Sequence, residues 1–132
     1  MGLIYLDSCV VIFAVEDESS EGEFIRQKLA DLGDEEVIIT PLVTMECVTG
    51  PLRDDNLVLH DHYIRALSQF EKRELGEEQF LRAASLRVKH GLKTPEALHL
   101  AAAQLHGCRE LWTRDSKLVS AAPGFAIDLQ SQ

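Results

Sequence analysis

The chain has 132 residues, 45% of them hydrophobic, enough apolar matter for one compact core and for the single domain expected over 1–132. Its formal net charge of −9, from 22 acidic and 13 basic side chains, argues against an extended electrostatic grip on nucleic acid, unless carboxylates are clustered to bind divalent cations. No apolar stretch nears the roughly 20 residues a bilayer span requires, and the first apolar run has no basic leader, so a cytoplasmic protein with no membrane contact is expected.

Leu3-Ile4-Tyr5-Leu6 reads as a first strand, stopped by Asp7-Ser8, whose side chains favour a helix start, and followed by a short apolar helix through Val15. After the polar break Glu16 to Ser20, Phe24, Ile25, Leu29 and Leu32 recur at helical spacing up to Gly33. Val37-Ile38-Ile39 is a second strand, and Thr40-Pro41 then starts a helix that carries Glu46 and is expected to end at Gly50-Pro51. The spacing of Leu59, Tyr63, Leu67 and Phe70 predicts a longer helix over 57–70, with a weak third strand near Glu74-Leu75.

Glu77 to His90 forms the next amphipathic pattern, closed by Gly91, and Thr94-Pro95 opens another that runs to Gly107. Glu110 to Thr113 is a fourth strand, Ser116 to Ala121 a short helix, and Phe125 to Leu129 a last strand after Pro123-Gly124. Cys9, Cys47 and Cys108 are odd in number, far apart and set among apolar or small neighbours, which fits buried free thiols.

Strands alternating with helices imply an α/β fold with a mostly parallel central sheet, built of right-handed crossovers and covered on both faces. Such sheets bind ligands at the carboxyl ends of their strands, where Asp7 and Asp115 fall. Glu46 sits in an apolar helical segment, where a carboxylate needs a partner or a metal, and Glu96 lies in the first turn of its helix, close to the same edge. A few converging carboxylates suffice for Mg²⁺ or Mn²⁺, and no His or Cys cluster suggests zinc. Each acid also has a plain structural role open to it: Asp7 and Asp115 as caps, Glu96 as a first-turn acid, Glu46 as an exposed helix residue. His99, one turn beyond Glu96, is expected to pack or to make a structural hydrogen bond. Arg114 and Lys117 flank Asp115 and are candidates for phosphate contact.

The runs Tyr5-Leu6-Asp7-Ser8-Cys9-Val10-Val11-Ile12, Thr40-Pro41-Leu42-Val43-Thr44-Met45-Glu46, Thr94-Pro95-Glu96-Ala97-Leu98-His99-Leu100-Ala101 and Leu111-Trp112-Thr113-Arg114-Asp115 resemble the PIN-domain family, particularly its VapC-type toxin ribonucleases. They occur in the family's order and cover nearly the whole chain. The resemblance implies a three-layer α/β/α PIN-like domain and an endoribonuclease that uses Mg²⁺ or Mn²⁺. It also implies RNA as substrate, a cognate antitoxin and a homodimer, the last in keeping with apolar residues on the helices between Leu57 and Leu86. Carried over residue by residue, it makes Asp7, Glu46, Glu96 and Asp115 the catalytic, metal-binding acids and Thr113 the nearby hydroxyl. One departure stands out: the family's third motif usually reads Pro-Asp-Ala, and here it is Pro95-Glu96-Ala97, which moves the oxygens out by one methylene.

Two other enzyme or signalling classes begin with an acid after the first strand. A haloacid-dehalogenase-like phosphatase needs a second Asp two residues later, where this chain has Cys9, and a receiver-type module needs an acidic pair there and a phosphate-accepting Asp after its third strand. The rival that remains is a PIN-like protein without activity, serving as a binding or scaffold partner.

Overall fold

The computed structural model describes residues 2–33 and 35–130. Five strands, β1 (Leu3–Leu6), β2 (Glu36–Ile39), β3 (Glu71–Lys72), β4 (Cys108–Thr113) and β5 (Ala126–Asp128), form one sheet in the order β3-β2-β1-β4-β5, with every pairing parallel. Among the described residues, seven helices connect and cover them: α1 (Ser8–Glu16), α2 (Ser20–Ala30), α3 (Pro41–Arg53), α4 (Leu57–Leu67), α5 (Glu77–His90), α6 (Thr94–Leu105) and α7 (Ser116–Ala121). The result is the expected three-layer α/β/α architecture.

Ile4, Tyr5, Leu6, Ile38, Ile39 and Leu111 are fully buried, as a parallel sheet covered on both faces requires. Helix α6 is buried without interruption from Ala97 to Ala103, and its alanines let α5 approach closely. Gly91, at φ 67°, takes the left-handed conformation that closes α5 at little steric cost.

Several boundaries differ from those read in the sequence: β4 begins at Cys108 rather than Glu110, β5 is Ala126–Asp128 rather than Phe125 to Leu129, and three larger differences have a physical reason. Helix α3 does not stop at Gly50-Pro51 but runs on to Arg53 with Pro51 inside it. The missing N–H of Pro51 removes one helical bond, while its ring is buried and its carbonyl accepts from Asn56 N at 2.8 Å. Helix α4 ends at Leu67, and Phe70 still packs against the core from the following turn. The third strand lies at Glu71-Lys72, pairing with Ile38 and Ile39, rather than at Glu74-Leu75. Two exposed charged residues on a sheet edge carry no apolar alternation that would mark them as a strand.

Gly22 shows why α2 begins as it does. A Cβ there would lie 2.0 Å from the carbonyl oxygen of Asp17, which is backbone and cannot swing aside. Alanine ordinarily favours a helix by about 1 kcal/mol over glycine. Gly22→Ala is expected to do the reverse, lowering stability by roughly 1–3 kcal/mol through the forced displacement. Urea unfolding should show a lower midpoint at an unchanged slope.

Candidate metal centre

The strand order reverses direction at β1: the chain builds β2 and β3 on one side, then crosses to place β4 and β5 on the other. The crevice at the carboxyl ends of β1 and β4 is therefore the switch point at which such sheets bind ligands. Asp7 follows β1 and is held there by its own N–H, which donates to Trp112 O on β4 at 3.0 Å. By position it is the N-cap of α1, yet its carboxylate makes no capping bond. It turns instead across the sheet, where Thr113 Oγ1 donates to Oδ2 at 2.7 Å, and it is only 7% exposed. Its Oδ1 meets Ser8 Oγ at 3.4 Å and His99 Nε2 at 3.5 Å, both too long for strong hydrogen bonds to a buried carboxylate.

Glu46 approaches from α3 and His99 from α6, so that one potential ligand atom from each of Asp7, Glu46 and His99 lies within 4.8 Å of the others. Two carboxylate charges 4.8 Å apart repel by roughly 3 kcal/mol at an effective dielectric near 20, which a cation between them would relieve. His99 Nε2 bonds Glu46 Oε1 at 2.7 Å, and Nδ1 lies 2.8 Å from the Tyr5 hydroxyl, which lies 2.9 Å from Thr40 Oγ1. Burial pushes the Tyr5 phenol well above its usual range, so it keeps its proton as a donor. Burial also acts to raise Glu46, but hydrogen bonds from His99 and Ser8 hold this carboxyl below its ordinary value. An ionised carboxylate only accepts, so the proton in the short contact sits on Nε2. Both ring nitrogens of His99 are thus engaged, and it orients Glu46 rather than offering a lone pair to an ion. The donors left for a cation are hard carboxylate oxygens, which suit Mg²⁺ or Mn²⁺.

The other residues singled out in the sequence are placed as follows. Thr113, fully buried, joins two of the acids: its hydroxyl donates to Asp7 and accepts from Asp115 N at 3.0 Å. Asp115 caps α7 through Oδ1, which accepts from Lys117 N at 2.9 Å. Glu96 Oε1 accepts from Lys93 N at 2.9 Å, closing the start of α6. The structural roles open to Glu96 and Asp115 are therefore realised, each through one carboxylate oxygen, whereas that of Asp7 is not. Neither joins the tight group formed by Asp7, Glu46 and His99. Arg114 is committed to the fold: it lies 3.9 Å over the Phe13 ring and donates to Glu21 and to Leu129 O.

Sequence reading anticipated a hydrogen-bonding His99 but not that its partners would be Glu46 and Tyr5. One signal was available for Tyr5: strand periodicity puts it on the same face as Asp7.

Cys9 Sγ lies 3.4 Å from Asp7 Oδ2. Burial, reinforced by the Asp7 charge, pushes its thiol up to about 12; burial takes Cys47 to about 12 and Cys108 to about 11. Since the thiolate is the reactive form, iodoacetamide at pH 8 is expected to leave the folded protein largely unmodified and to add three labels once it is unfolded. Mass spectrometry of both samples checks this, and rapid labelling of folded Cys9 would contradict it.

The sequence profile of the PIN domain family matches residues 4–123. A search of curated proteins finds no match. Among solved structures, the chain is similar to one from a toxin-antitoxin complex of Klebsiella pneumoniae, with a TM-score of 0.79 and 26% identity over 98% of this chain and 99% of that one. FitAcB of Neisseria gonorrhoeae gives a TM-score of 0.79 at 20% identity, covering 96% and 97%. VapC20 of Mycobacterium tuberculosis, described as a sarcin-ricin loop cleaving toxin, gives 0.76 at 14% identity, covering 90% and 95%. At such identities the last two establish a shared fold.

Proposed function

The chain belongs to the PIN domain family, and from that premise we propose that it is a Mg²⁺- or Mn²⁺-dependent endoribonuclease, the toxin of a toxin-antitoxin pair. One observation carries the reading: a buried aspartate at the switch point forgoes its own helix cap and faces a second carboxylate. Asp7 and Glu46 would hold the ion directly, with Glu96 and Asp115 contributing the carboxylate oxygens that their capping bonds leave over. A bound divalent ion would supply a lowered pKa for an attacking water and charge neutralisation at the phosphodiester. Thr113 fixes the Asp7 carboxylate and ties it to Asp115. His99 fixes Glu46, and the products expected are a 5′ phosphate and a 3′ hydroxyl.

The K. pneumoniae neighbour comes from a toxin-antitoxin complex. An antitoxin with a basic segment docking at the acidic edge fits the net charge of −9. A homodimer fits the exposed apolar side chains of α4 and α5, including Val58 at 70% and Leu81 at 67%. No helix among the described residues is long and apolar enough to cross a membrane.

The rival reading, an inactive scaffold, draws on the capping bonds that occupy Glu96 and Asp115. Cleavage of a structured RNA with Mg²⁺ or Mn²⁺, with and without chelator, separates the two. Cutting that the chelator abolishes supports the nuclease; no cutting, together with no saturable Mn²⁺ binding, supports the scaffold.

A further inference from the structure

A chain this acidic can hold an anion only where its few cations are concentrated and uncommitted. Among the described residues, every arginine except Arg65 spends its guanidinium on an oxygen of the chain itself. The five lysines are all exposed, and among the described residues none forms an ion pair. Three of them, Lys89, Lys93 and Lys117, belong to the last turn of α5, the start of α6 and the first turn of α7. Those three segments meet at the carboxyl edge of the sheet, because α6 runs back to the start of β4 and α7 leaves its end.

A cavity of about 240 Å³ opens between the end of α5 and α7, lined by His90, Ser116, Lys117, Ser120 and Ala121. None of the lining residues is acidic. The ammonium of Lys117, an imidazole and two hydroxyls can each donate to a phosphate oxygen, and Lys117 is the point-charge type of phosphate ligand. The cavity adjoins the acidic site through bonds already described, since Lys117 N donates to Asp115 Oδ1 and Asp115 N to the Thr113 hydroxyl that holds Asp7.

We propose that this cavity is a phosphate subsite, holding a backbone phosphate of single-stranded RNA adjacent to the phosphodiester at the acids, through Lys117 with His90 and Ser120 in support. The inference rests on the ribonuclease reading and deepens it: the acids and their ion meet the bond to be cut, and the cavity fixes the strand beside it. It also accounts for RNA binding by a chain of net charge −9, since one local group of donors replaces a broad basic surface.

The test uses the full chain and a fluorescent single-stranded RNA oligonucleotide, kept intact by EDTA, with binding read by anisotropy over a range of salt. Lys117→Ala is expected to weaken binding roughly two- to fivefold, in the range of exposed charge pairs. It should flatten the salt dependence by about 0.7 in log–log slope, the value for one single-strand phosphate. Lys28→Ala, outside the cavity, should change neither, and on a cleavable RNA Lys117→Ala should raise KM with little change in kcat. Unchanged affinity and slope for Lys117→Ala overturn the subsite even if the wild type cleaves RNA. Loss of binding in Lys117→Ala with no cleavage by the wild type keeps the subsite and overturns the nuclease. Inorganic phosphate, followed by the NMR signals of His90, is the last arm: saturation at or below the RNA concentration required would make a free anion the occupant and overturn the proposal.

Discussion

Asp7→Asn is expected to reduce RNA cleavage by at least about 10²–10³-fold, the scale on which removal of a single charge-stabilising group from an active site is felt. Asparagine keeps the shape of the side chain, and its carbonyl oxygen can still accept from the Thr113 hydroxyl, so the fold should persist. What it removes is the charge. Asp7 is buried, its Oδ1 has only long contacts, and it faces Glu46 across a gap that favours a divalent cation. The same variant should therefore lose saturable Mn²⁺ binding, measured by electron paramagnetic resonance on the RNA-free protein. It should also unfold at the same urea concentration or a higher one, because burying one carboxylate near another is unfavourable in the absence of the ion. Cleavage and Mn²⁺ affinity equal to those of the wild type would sink the assignment. Retained Mn²⁺ binding with lost cleavage would move the ion to other acids.

The order of effects among the four acids follows from what each carboxylate already does. Asp7 has no capping role, while Glu96 and Asp115 each give one oxygen to a backbone N–H. Asp115→Asn should thus lower activity less than Asp7→Asn, and its amide oxygen should still accept from Lys117 N and cap α7.

Much of this was legible in the sequence because it depends on local signals. Helix starts at Pro41 and Thr94-Pro95, the stop at Gly91 and the β-branched run before Thr40 all follow from backbone preference, and the structure has them in place. The position of Asp7 and Asp115 followed from strand-end logic. What was not legible depends on partners far apart in the chain. Glu71-Lys72 becomes a strand only because β2 offers it an edge, and α3 passes through Pro51 because burial of that ring supports the turn that contains it. The direction of the Asp7 carboxylate is set by Thr113, 106 residues away. The same is true of His99, whose role is fixed by Glu46 and Tyr5, 53 and 94 residues from it.

His99 is the subject of the second large effect. Its Nε2–H holds Glu46, and the Tyr5 hydroxyl, backed by Thr40, occupies its Nδ1. Groups that orient a metal-binding carboxylate typically matter by about 10–100-fold in metal affinity or activity. His99→Phe keeps a ring of similar breadth but removes both nitrogens, leaving Glu46 with Ser8 alone as donor and the Tyr5 hydroxyl with Thr40 alone. A loss of Mn²⁺ affinity and of kcat within that 10–100-fold range is expected. Because His99 is buried, the same change also costs stability, on the order of 1–3 kcal/mol for the polar groups left unpaired. Tyr5→Phe separates positioning from packing. It leaves His99 in place but removes the donor to Nδ1, so that this nitrogen loses its buried partner while the carboxylates still keep the proton on Nε2. Nitrogen-15 NMR of the metal-free protein reads this directly: Nε2 should be protonated in both proteins, the Nδ1 signal should shift in Tyr5→Phe on loss of its hydrogen bond, and Mn²⁺ binding should weaken as the ring loses its orientation. A wild-type ring protonated only at Nδ1 would refute the arrangement. So would a Tyr5→Phe protein with an unshifted Nδ1 signal and the wild-type affinity for Mn²⁺, since the imidazole would then be held by its packing and not by the hydroxyl behind it.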